Sequence, residues 1–204
     1  MTRLELIAHR GASRERPENT LPAFERAIEL GADGVEFDLH LHADGVIRVH
    51  HDPLPEPPDA PTLDAVLALL ASAGRVAYCE LKGAGTAPGT VAAITASSVN
   101  GAVHSFDHRM IAEARKIAPE VPRGVLESSY PVRPLAALEA VGGRDLWRNR
   151  SFVDAALVKT AHEVGARVIA WTVNDPAEIE RFAAMGVDAL CTDDIALARR
   201  VLGR

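Results

Sequence analysis

The chain has 204 residues, of which 48% are hydrophobic and 25% are charged, and its formal net charge at pH 7 is -6. This length and composition suit one globular domain over residues 1–204 and exclude a disordered chain. The acidic balance argues against nucleic acid as a partner, and no apolar run reaches the ~20 residues of a membrane span. Because the first residues lack the apolar segment of a signal peptide, we expect a cytoplasmic protein.

The chain begins with a strand, a helix and a second strand. An apolar run predicts the first strand at residues 4–8. Asn19 or Thr20 can cap a helix whose apolar positions recur at helical spacing until Gly31. The second strand covers 35–41, where side chains alternate between two faces.

A turn and a proline-rich loop separate this strand from the next helix. Asp44-Gly45 predicts a turn before the short apolar segment 46–49. Pro53, Pro55, Pro57, Pro58 and Pro61 predict a stiff, extended loop. Thr62 then caps a helix that ends at Gly74, and a strand follows at 76–80.

The rest of the chain continues the alternation of strand and helix. Strands are predicted at 102–106, 123–126, 145–147, 167–173 and 189–191. Helices are predicted at 107–118, 134–141, 151–164, from Asp175 onward and at 194–202. The segment 88–98 is weakly patterned. Eight such units predict an α/β fold, a single-domain (β/α)8 TIM barrel, with a doubly wound open sheet as the alternative. The barrel is favoured because polar clusters follow the carboxyl ends of strands, where barrels keep their active sites.

One face of the second strand carries acidic side chains. Glu36 and Asp38 project to the same side, about 6.5 to 7 Å apart at their Cα atoms, close enough to share a cation. Glu80 ends another apolar run and becomes a third oxygen ligand if the two strands are neighbours. A solvent-facing strand is the alternative, but strands in this alternating pattern are buried on both faces. Three carboxylates favour calcium or magnesium over zinc.

Eight short motifs occur along the chain in a fixed order. They are His9-Arg10-Gly11, Pro17-Glu18-Asn19-Thr20, Glu36-x-Asp38, Asp44-Gly45, His51-Asp52-Pro53, Glu80-Leu81-Lys82, Ser105-Phe106-Asp107 and Trp171-Thr172-Val173-Asn174. Together they resemble the glycerophosphodiester phosphodiesterase family from residue 5 to about 195. The chain departs from that family in the short segment between His51 and Thr62, in His42, where threonine is common, and in the poorly matched stretch 119–150.

The resemblance implies a barrel enzyme that hydrolyses a small-molecule glycerophosphodiester to glycerol 3-phosphate and an alcohol with one divalent cation, Ca²⁺ or Mg²⁺. By position, it assigns Glu36, Asp38 and Glu80 to the metal, His9 and His51 to catalysis, and Arg10 and Lys82 to phosphate. The chemistry agrees, because cations stabilise developing phosphoryl charge and two imidazoles can exchange protons near neutral pH. We interpret His9 as the base and His51 as the acid, although the two roles could be exchanged.

Several residues have second interpretations. Lys82 could simply pair with Glu80, and Trp171 could be a core residue or a wall against the substrate. Glu18 is expected to support Arg10 or the start of the following helix rather than touch substrate. The other histidines are expected to be lining, loop or surface residues rather than ligands: His40, His42, His50, His104, His108 and His162.

Two other functions remain possible at this point. One is a lyase-like relative that forms a cyclic phosphate, but such relatives are secreted and carry disulfides, whereas Cys79 and Cys191 are expected to be buried, reduced thiols. The other is a barrel that binds phosphodiesters or metal without turnover. The sequence leaves the oligomeric state open.

Overall fold

The structure is a computed structural model that describes residues 3–53 and 59–204. Its strands are β1 (Glu5–His9), β2 (Gly34–Leu41), β3 (Ile47–Val49), β4 (Val76–Leu81), β5 (Gly101–Ser105), β6 (Arg123–Glu127), β7 (Asp145–Asn149), β8 (Arg167–Trp171) and β9 (Ala189–Thr192). Its α-helices are α1 (Leu21–Glu29), α2 (Leu63–Ser72), α3 (Thr86–Ala96), α4 (His108–Ile117), α5 (Ala136–Val141), α6 (Ala155–Glu163), α7 (Pro176–Met185) and α8 (Ile195–Val201). Pro55, Pro57 and Pro58 of the predicted proline loop lie outside the described residues.

Eight of the strands form a closed parallel barrel. β1 pairs in parallel with β2 on one side and with β9 on the other, so the sheet has no free edge among these eight strands. Ile7 lies opposite both Gly34 and Cys191 in these two registers. β3 is an antiparallel addition to β2. The predicted (β/α)8 barrel is confirmed, and the open doubly wound sheet is excluded.

Capping residues explain where the helices begin. The Thr20 hydroxyl accepts a hydrogen bond from the Ala23 amide at the start of α1. The Thr62 hydroxyl caps α2 in the same way, by accepting a hydrogen bond from the Ala65 amide. The predicted helix over 151–164 is divided, because the Asp154 carboxylate caps α6 after a short 3₁₀ turn at Arg150–Phe152. Such a cap requires extended backbone, which interrupts a continuous helix.

The barrel has two buried apolar layers. One lies between the strands and the helices and includes Val35, Phe37 and Leu39, the outward face of β2. The other fills the barrel interior and includes Tyr78 and Trp147. Cys79 and Cys191 are buried and unpaired, as predicted.

A polar network closes the end of the barrel where the strands begin. The Tyr78 hydroxyl donates to Glu5 Oε1 at 2.7 Å, and Arg167 pairs with both Glu5 and Asp145. Arg144 pairs with Asp145 as well, at 2.6 Å. Because Glu5, Asp145 and Arg167 each stand first in their strands, this network lies at the barrel's amino-terminal end. Within the described ranges, no helix combines the length and apolarity needed to cross a membrane.

Candidate active site

A cavity of about 160 Å³ opens at the carboxyl ends of the barrel strands. Seven of the nine site residues predicted from the sequence line it: His9, Arg10, Glu36, His51, Glu80, Lys82 and Trp171. The other two, Asp38 and Glu18, lie behind this lining, in contact with Arg10. The fold therefore brings all nine into one cluster from positions up to 162 residues apart in the chain.

Two carboxylates and an imidazole converge on the floor of the cavity. The β2–β4 and β4–β5 registers place Glu80 opposite Asp38 on one side and opposite His104 on the other. Ligand atoms of Glu36, Glu80 and His104 all lie within 4.8 Å of one another, and all three side chains are buried. This group could hold a metal ion.

Asp38 is a fully buried carboxylate surrounded by donors. Asn19 Nδ2 donates to Oδ2 at 2.8 Å, Arg10 Nε lies 3.1 Å from the same oxygen, and Lys82 Nζ lies 3.2 Å from Oδ1. Burial opposes ionisation, but the charges of Lys82 and Arg10 and the Asn19 hydrogen bond hold the pKa of Asp38 below its usual value. The two cations are therefore aligned toward the cavity by one shared carboxylate.

The backbone of Arg10 contributes to this arrangement. Its φ of +56° turns the chain sharply after β1, and its amide lies 2.8 Å from the Glu36 carbonyl oxygen and 3.2 Å from Glu36 Oε2. The guanidinium then reaches Glu18 at 2.9 Å as well as Asp38. A positive φ is uncommon for residues other than glycine. Strained backbone of this kind is often found at functional sites.

His9 is oriented by a residue that the sequence analysis did not single out. Its Nδ1 lies 2.6 Å from Asp193 Oδ1, and Asn174 Nδ2 holds the other carboxylate oxygen at 2.6 Å. Nε2 is thereby directed toward Glu36, 4.0 Å from Oε2. Burial lowers the pKa of His9, but the Asp193 hydrogen bond and the charge of Glu36 outweigh it and raise the pKa above 6.5.

His51 also lines the cavity and is more exposed than His9. Its Nδ1 lies 2.8 Å from Asp52 Oδ1, and its carbonyl oxygen bonds His40 Nε2 at 3.0 Å. The His51 side chain is 38% exposed. The two predicted catalytic imidazoles thus have different surroundings, each with its own carboxylate partner.

An aromatic wall completes the cavity. Phe106 and Trp171 pack edge to face with their ring centroids 5.5 Å apart, and Leu126 and Trp147 lie beside them. Half of the Phe106 side chain is exposed. Trp171 lines the cavity rather than lying wholly in the core.

Several buried atoms at the cavity floor suit a divalent cation. Burial and the charges of Glu36 and Asp38 raise the pKa of Glu80 to about 8, so the carboxylates repel one another. Both ring nitrogens of His104 are buried without a hydrogen-bond partner among the described residues. A cation would relieve the repulsion and satisfy these atoms, so the residues fit the metal that the sequence predicts.

Three contributors were missed or placed elsewhere by the sequence analysis. Asp193 follows the end of β9, so the rule that polar residues after strands form the site could have identified it. Asn19 was considered as a helix cap, yet Thr20 takes that role and Asn19 binds Asp38. His104 was grouped with the non-ligand histidines, and it lies inside the barrel beside the carboxylates.

Comparisons with known proteins agree with the fold. The chain matches the sequence profile of the Glycerophosphoryl diester phosphodiesterase family over residues 9–97 and 87–197. It is 30% identical to a glycerophosphodiester phosphodiesterase of Caldanaerobacter subterraneus subsp. tengcongensis, covering 93% of both chains.

Solved structures give the same result. An Oleispira antarctica phosphodiesterase in complex with the product sn-glycerol-3-phosphate has a TM-score of 0.89 at 25% identity, covering 98% of this chain and 97% of that one. A putative glycerophosphoryl diester phosphodiesterase from Silicibacter pomeroyi has a TM-score of 0.85 at 26% identity, covering 98% and 93%. The chain belongs to the glycerophosphodiester phosphodiesterase family.

Proposed function

We propose that this protein hydrolyses a glycerophosphodiester to glycerol 3-phosphate and an alcohol with the help of one divalent cation. The observation that carries the proposal is the meeting of two imidazoles, acidic side chains and two cations around one cavity. The sn-glycerol-3-phosphate product named for the Oleispira antarctica relative supports this choice of substrate class.

In this mechanism the cavity binds the diester through its anionic phosphoryl group. Arg10 and Lys82 would contact the phosphoryl oxygens, since Asp38 directs both cations toward the cavity. A cation held by Glu36, Glu80 and Asp38 would stabilise the charge that develops on those oxygens. The three carboxylates by themselves favour Ca²⁺ or Mg²⁺.

The two histidines would move the protons. His9 accepts the proton of the attacking hydroxyl at Nε2, because Asp193 holds Nδ1 and leaves Nε2 facing the cavity. His51 donates a proton to the departing alkoxide from the opposite side. The aromatic wall would lie against the released alcohol, and the short segment after His51 would leave room for bulky alcohols.

The first experiment strips the protein with a chelator and adds Ca²⁺, Mg²⁺ or Mn²⁺ separately. Glycerol 3-phosphate release is followed with glycerophosphocholine and glycerophosphoethanolamine, and ³¹P NMR identifies the product. We expect activity to return with a divalent ion and the product to be the linear phosphate monoester. A cyclic phosphate would indicate the lyase reaction, and metal binding without turnover of any diester would indicate a binding protein.

Two substitutions separate metal binding from proton transfer. Glu36→Ala is expected to abolish metal binding and activity together, because it removes a buried carboxylate ligand. His51→Ala is expected to keep metal affinity and to lower kcat by about 10² to 10⁴-fold. Calorimetric metal titration and initial rates check both, with His162→Ala on the outer surface as the control. Loss of metal from His51→Ala would contradict this division of roles.

We also propose that the reaction serves lipid and glycerol metabolism in the cytoplasm. The buried, unpaired thiols of Cys79 and Cys191 are compatible with a reducing compartment.

A further inference from the structure

His104 is a buried imidazole at the floor of the cavity. Its side chain is 1% exposed, and neither Nδ1 nor Nε2 has a hydrogen-bond partner among the described residues. The ring stacks on Trp147 with centroids 4.1 Å apart and planes at 12°. Trp147 therefore fixes the plane of the ring and leaves its nitrogen-bearing edge free. A buried donor or acceptor without a partner is destabilising, which indicates that this edge binds a ligand.

The free edge lies beside the acidic side chains. His104 Nε2 is 3.8 Å from Glu36 Oε1, and Glu80 is its neighbour across the β4–β5 register. A separation of 3.8 Å is too long for a hydrogen bond. Two ligand atoms bound at about 2.1 Å to one ion lie roughly 3 to 4.2 Å apart, so the spacing is that of atoms sharing a cation.

A charged imidazole paired with Glu36 explains the geometry less well. An imidazolium carries two N–H donors, and the described residues offer no acceptor within hydrogen-bond distance of either nitrogen. A neutral ring that uses one nitrogen as a lone-pair donor to a metal leaves only the other nitrogen to be satisfied.

We propose that His104 is a nitrogen ligand of the catalytic cation and that it shifts the metal preference of the site toward Mn²⁺ or Co²⁺ relative to Ca²⁺. The inference rests on the metal site of the proposed function and extends it to the choice of metal. Calcium takes oxygen ligands almost entirely, whereas imidazole nitrogen suits borderline transition metals. A site made of the carboxylates alone would not shift the preference toward Mn²⁺ or Co²⁺ relative to Ca²⁺.

Pulsed EPR of bound Mn²⁺ tests the ligand directly. Chelator-stripped protein is loaded with Mn²⁺, and the electron spin echo is examined for coupling to ¹⁴N. We expect nitrogen coupling in the wild type and its loss in His104→Gln. His50→Gln serves as the background for all samples, because His42 and His50 face each other with their Nε2 atoms 2.7 Å apart and could bind a second ion.

Calorimetric titration with Ca²⁺ and Mn²⁺ tests the preference. In His104→Gln we expect Mn²⁺ affinity to fall about tenfold or more while Ca²⁺ affinity changes by less than about threefold. An unchanged ratio of the two affinities would overturn the proposal. So would Mn²⁺ bound at the site without nitrogen coupling.

A further set of samples keeps the test decisive if His104→Gln does not fold. His9 and His51 are the other imidazoles lining the cavity, and each is replaced by Gln in turn in the same background. Nitrogen coupling that survives both substitutions, and that changes to ¹⁵N coupling after histidine labelling, assigns the ligand to His104. Coupling lost with His9 or His51 would overturn the proposal.

The same samples distinguish this inference from the proposed function. Hydrolysis of glycerophosphocholine without nitrogen coupling would remove His104 from the metal and leave the reaction intact. Nitrogen coupling without hydrolysis of any diester would support the ligand assignment and contradict the reaction.

Discussion

Asp193 determines which nitrogen of His9 is available for chemistry. A hydrogen bond of 2.6 Å to Nδ1 leaves Nε2 as the atom directed into the cavity, and Asn174 and Ser13 in turn hold the Asp193 carboxylate. The sequence separates Asp193 from His9 by 184 residues. Only the pairing of β1 with β9 brings the two together, which explains why a reading of local motifs did not connect them.

Asp193→Asn is expected to lower kcat by about 10²-fold or more with little change in KM, because the imidazole loses its fixed tautomer. It should also lower the pKa of His9, which the Asp193 hydrogen bond and the charges of Glu36 and Asp193 hold above its ordinary value. Rate profiles against pH measure both effects. If His9 is the base, the acidic limb of the rate profile moves to lower pH in Asp193→Asn. If His9 is the acid, the alkaline limb of the profile moves to lower pH instead.

Asp194→Asn is the matched control for this substitution. The neighbouring Asp194 carboxylate caps α8 by accepting the Leu197 amide, and the side-chain oxygen of asparagine caps a helix about as well, so Asp194→Asn should leave both the stability and the pH profile nearly unchanged. A profile that is the same in Asp193→Asn and in the wild type would contradict the role given to Asp193.

The pKa of Glu80 makes the metal-free protein sensitive to pH. Burial and the neighbouring carboxylates raise it from 4.5 to about 8, so the folded protein binds a proton on Glu80 more tightly than the unfolded chain does. The stability contributed by that proton is present below pH 4.5 and is lost as pH rises through about 8.

Glu80→Gln is therefore expected to raise the thermal midpoint of the chelated protein at pH 8.5 and to change it less at pH 5. Thermal denaturation at both pH values measures this. Glu163→Gln, at the exposed end of α6, serves as the control. Equal effects of Glu80→Gln at the two pH values would show that the carboxylate is ionised throughout this range.

At the scale of elements, β6 and β7 lie so close together that position 124 has room only for a glycine. A Cβ atom at Gly124 would lie 2.5 Å from the Asp145 carbonyl oxygen and 3.0 Å from Trp147 Cδ1. The first contact is with backbone, which cannot move without disturbing the barrel. Tight packing of this kind also holds Trp147 in the position where it stacks on His104.

Gly124→Ala is expected to lower the free energy of unfolding by about 1 to 3 kcal/mol through overpacking. Gly74→Ala is the comparison, because Gly74 has a positive φ of 63° but open space around it. Gly74→Ala is expected to lower the free energy of unfolding by about 1 kcal/mol through backbone strain. Urea denaturation compares the two variants, and a Gly124→Ala protein no less stable than Gly74→Ala would rule out the close approach of β6 and β7.

The sequence predicted elements well where caps and periodicity coincide. Helices α1, α2 and α7 begin directly after the capping residues Thr20, Thr62 and Asp175, as the capping pattern indicates. Helix α3 was weakly patterned because its Gly85 cap makes no side-chain hydrogen bond and small apolar residues are spread around it. The strand predicted over 167–173 ends at Trp171, after which the chain turns so that Asn174 can bind Asp193.

At the scale of the molecule, alternating strands and helices predicted an α/β fold, and the polar clusters after the strands favoured the barrel over an open sheet. The alternation of side chains along β2 pointed to Glu36 and Asp38, and the family resemblance assigned the roles of His9, His51, Arg10 and Lys82. His104 lies within β5 and belongs to none of the motifs that carry the resemblance, so its place beside the carboxylates was not predicted. The register against Glu80 gives it that place.

The polar network of Glu5, Tyr78, Asp145, Arg144 and Arg167 closes the end of the barrel opposite the cavity. A strand of five residues is about 16 Å long, so this network and the reacting groups are too far apart for direct energetic coupling. Substitutions selected in the laboratory for a new substrate range lie at the mouth of the barrel and tend to lower the free energy of unfolding. In this protein the loss could be restored by replacing Glu5, Arg144, Asp145 or Arg167 at the closed end, and the two sets of substitutions would combine additively. Tyr78 is the exception, because it packs on Trp147, which stacks on His104.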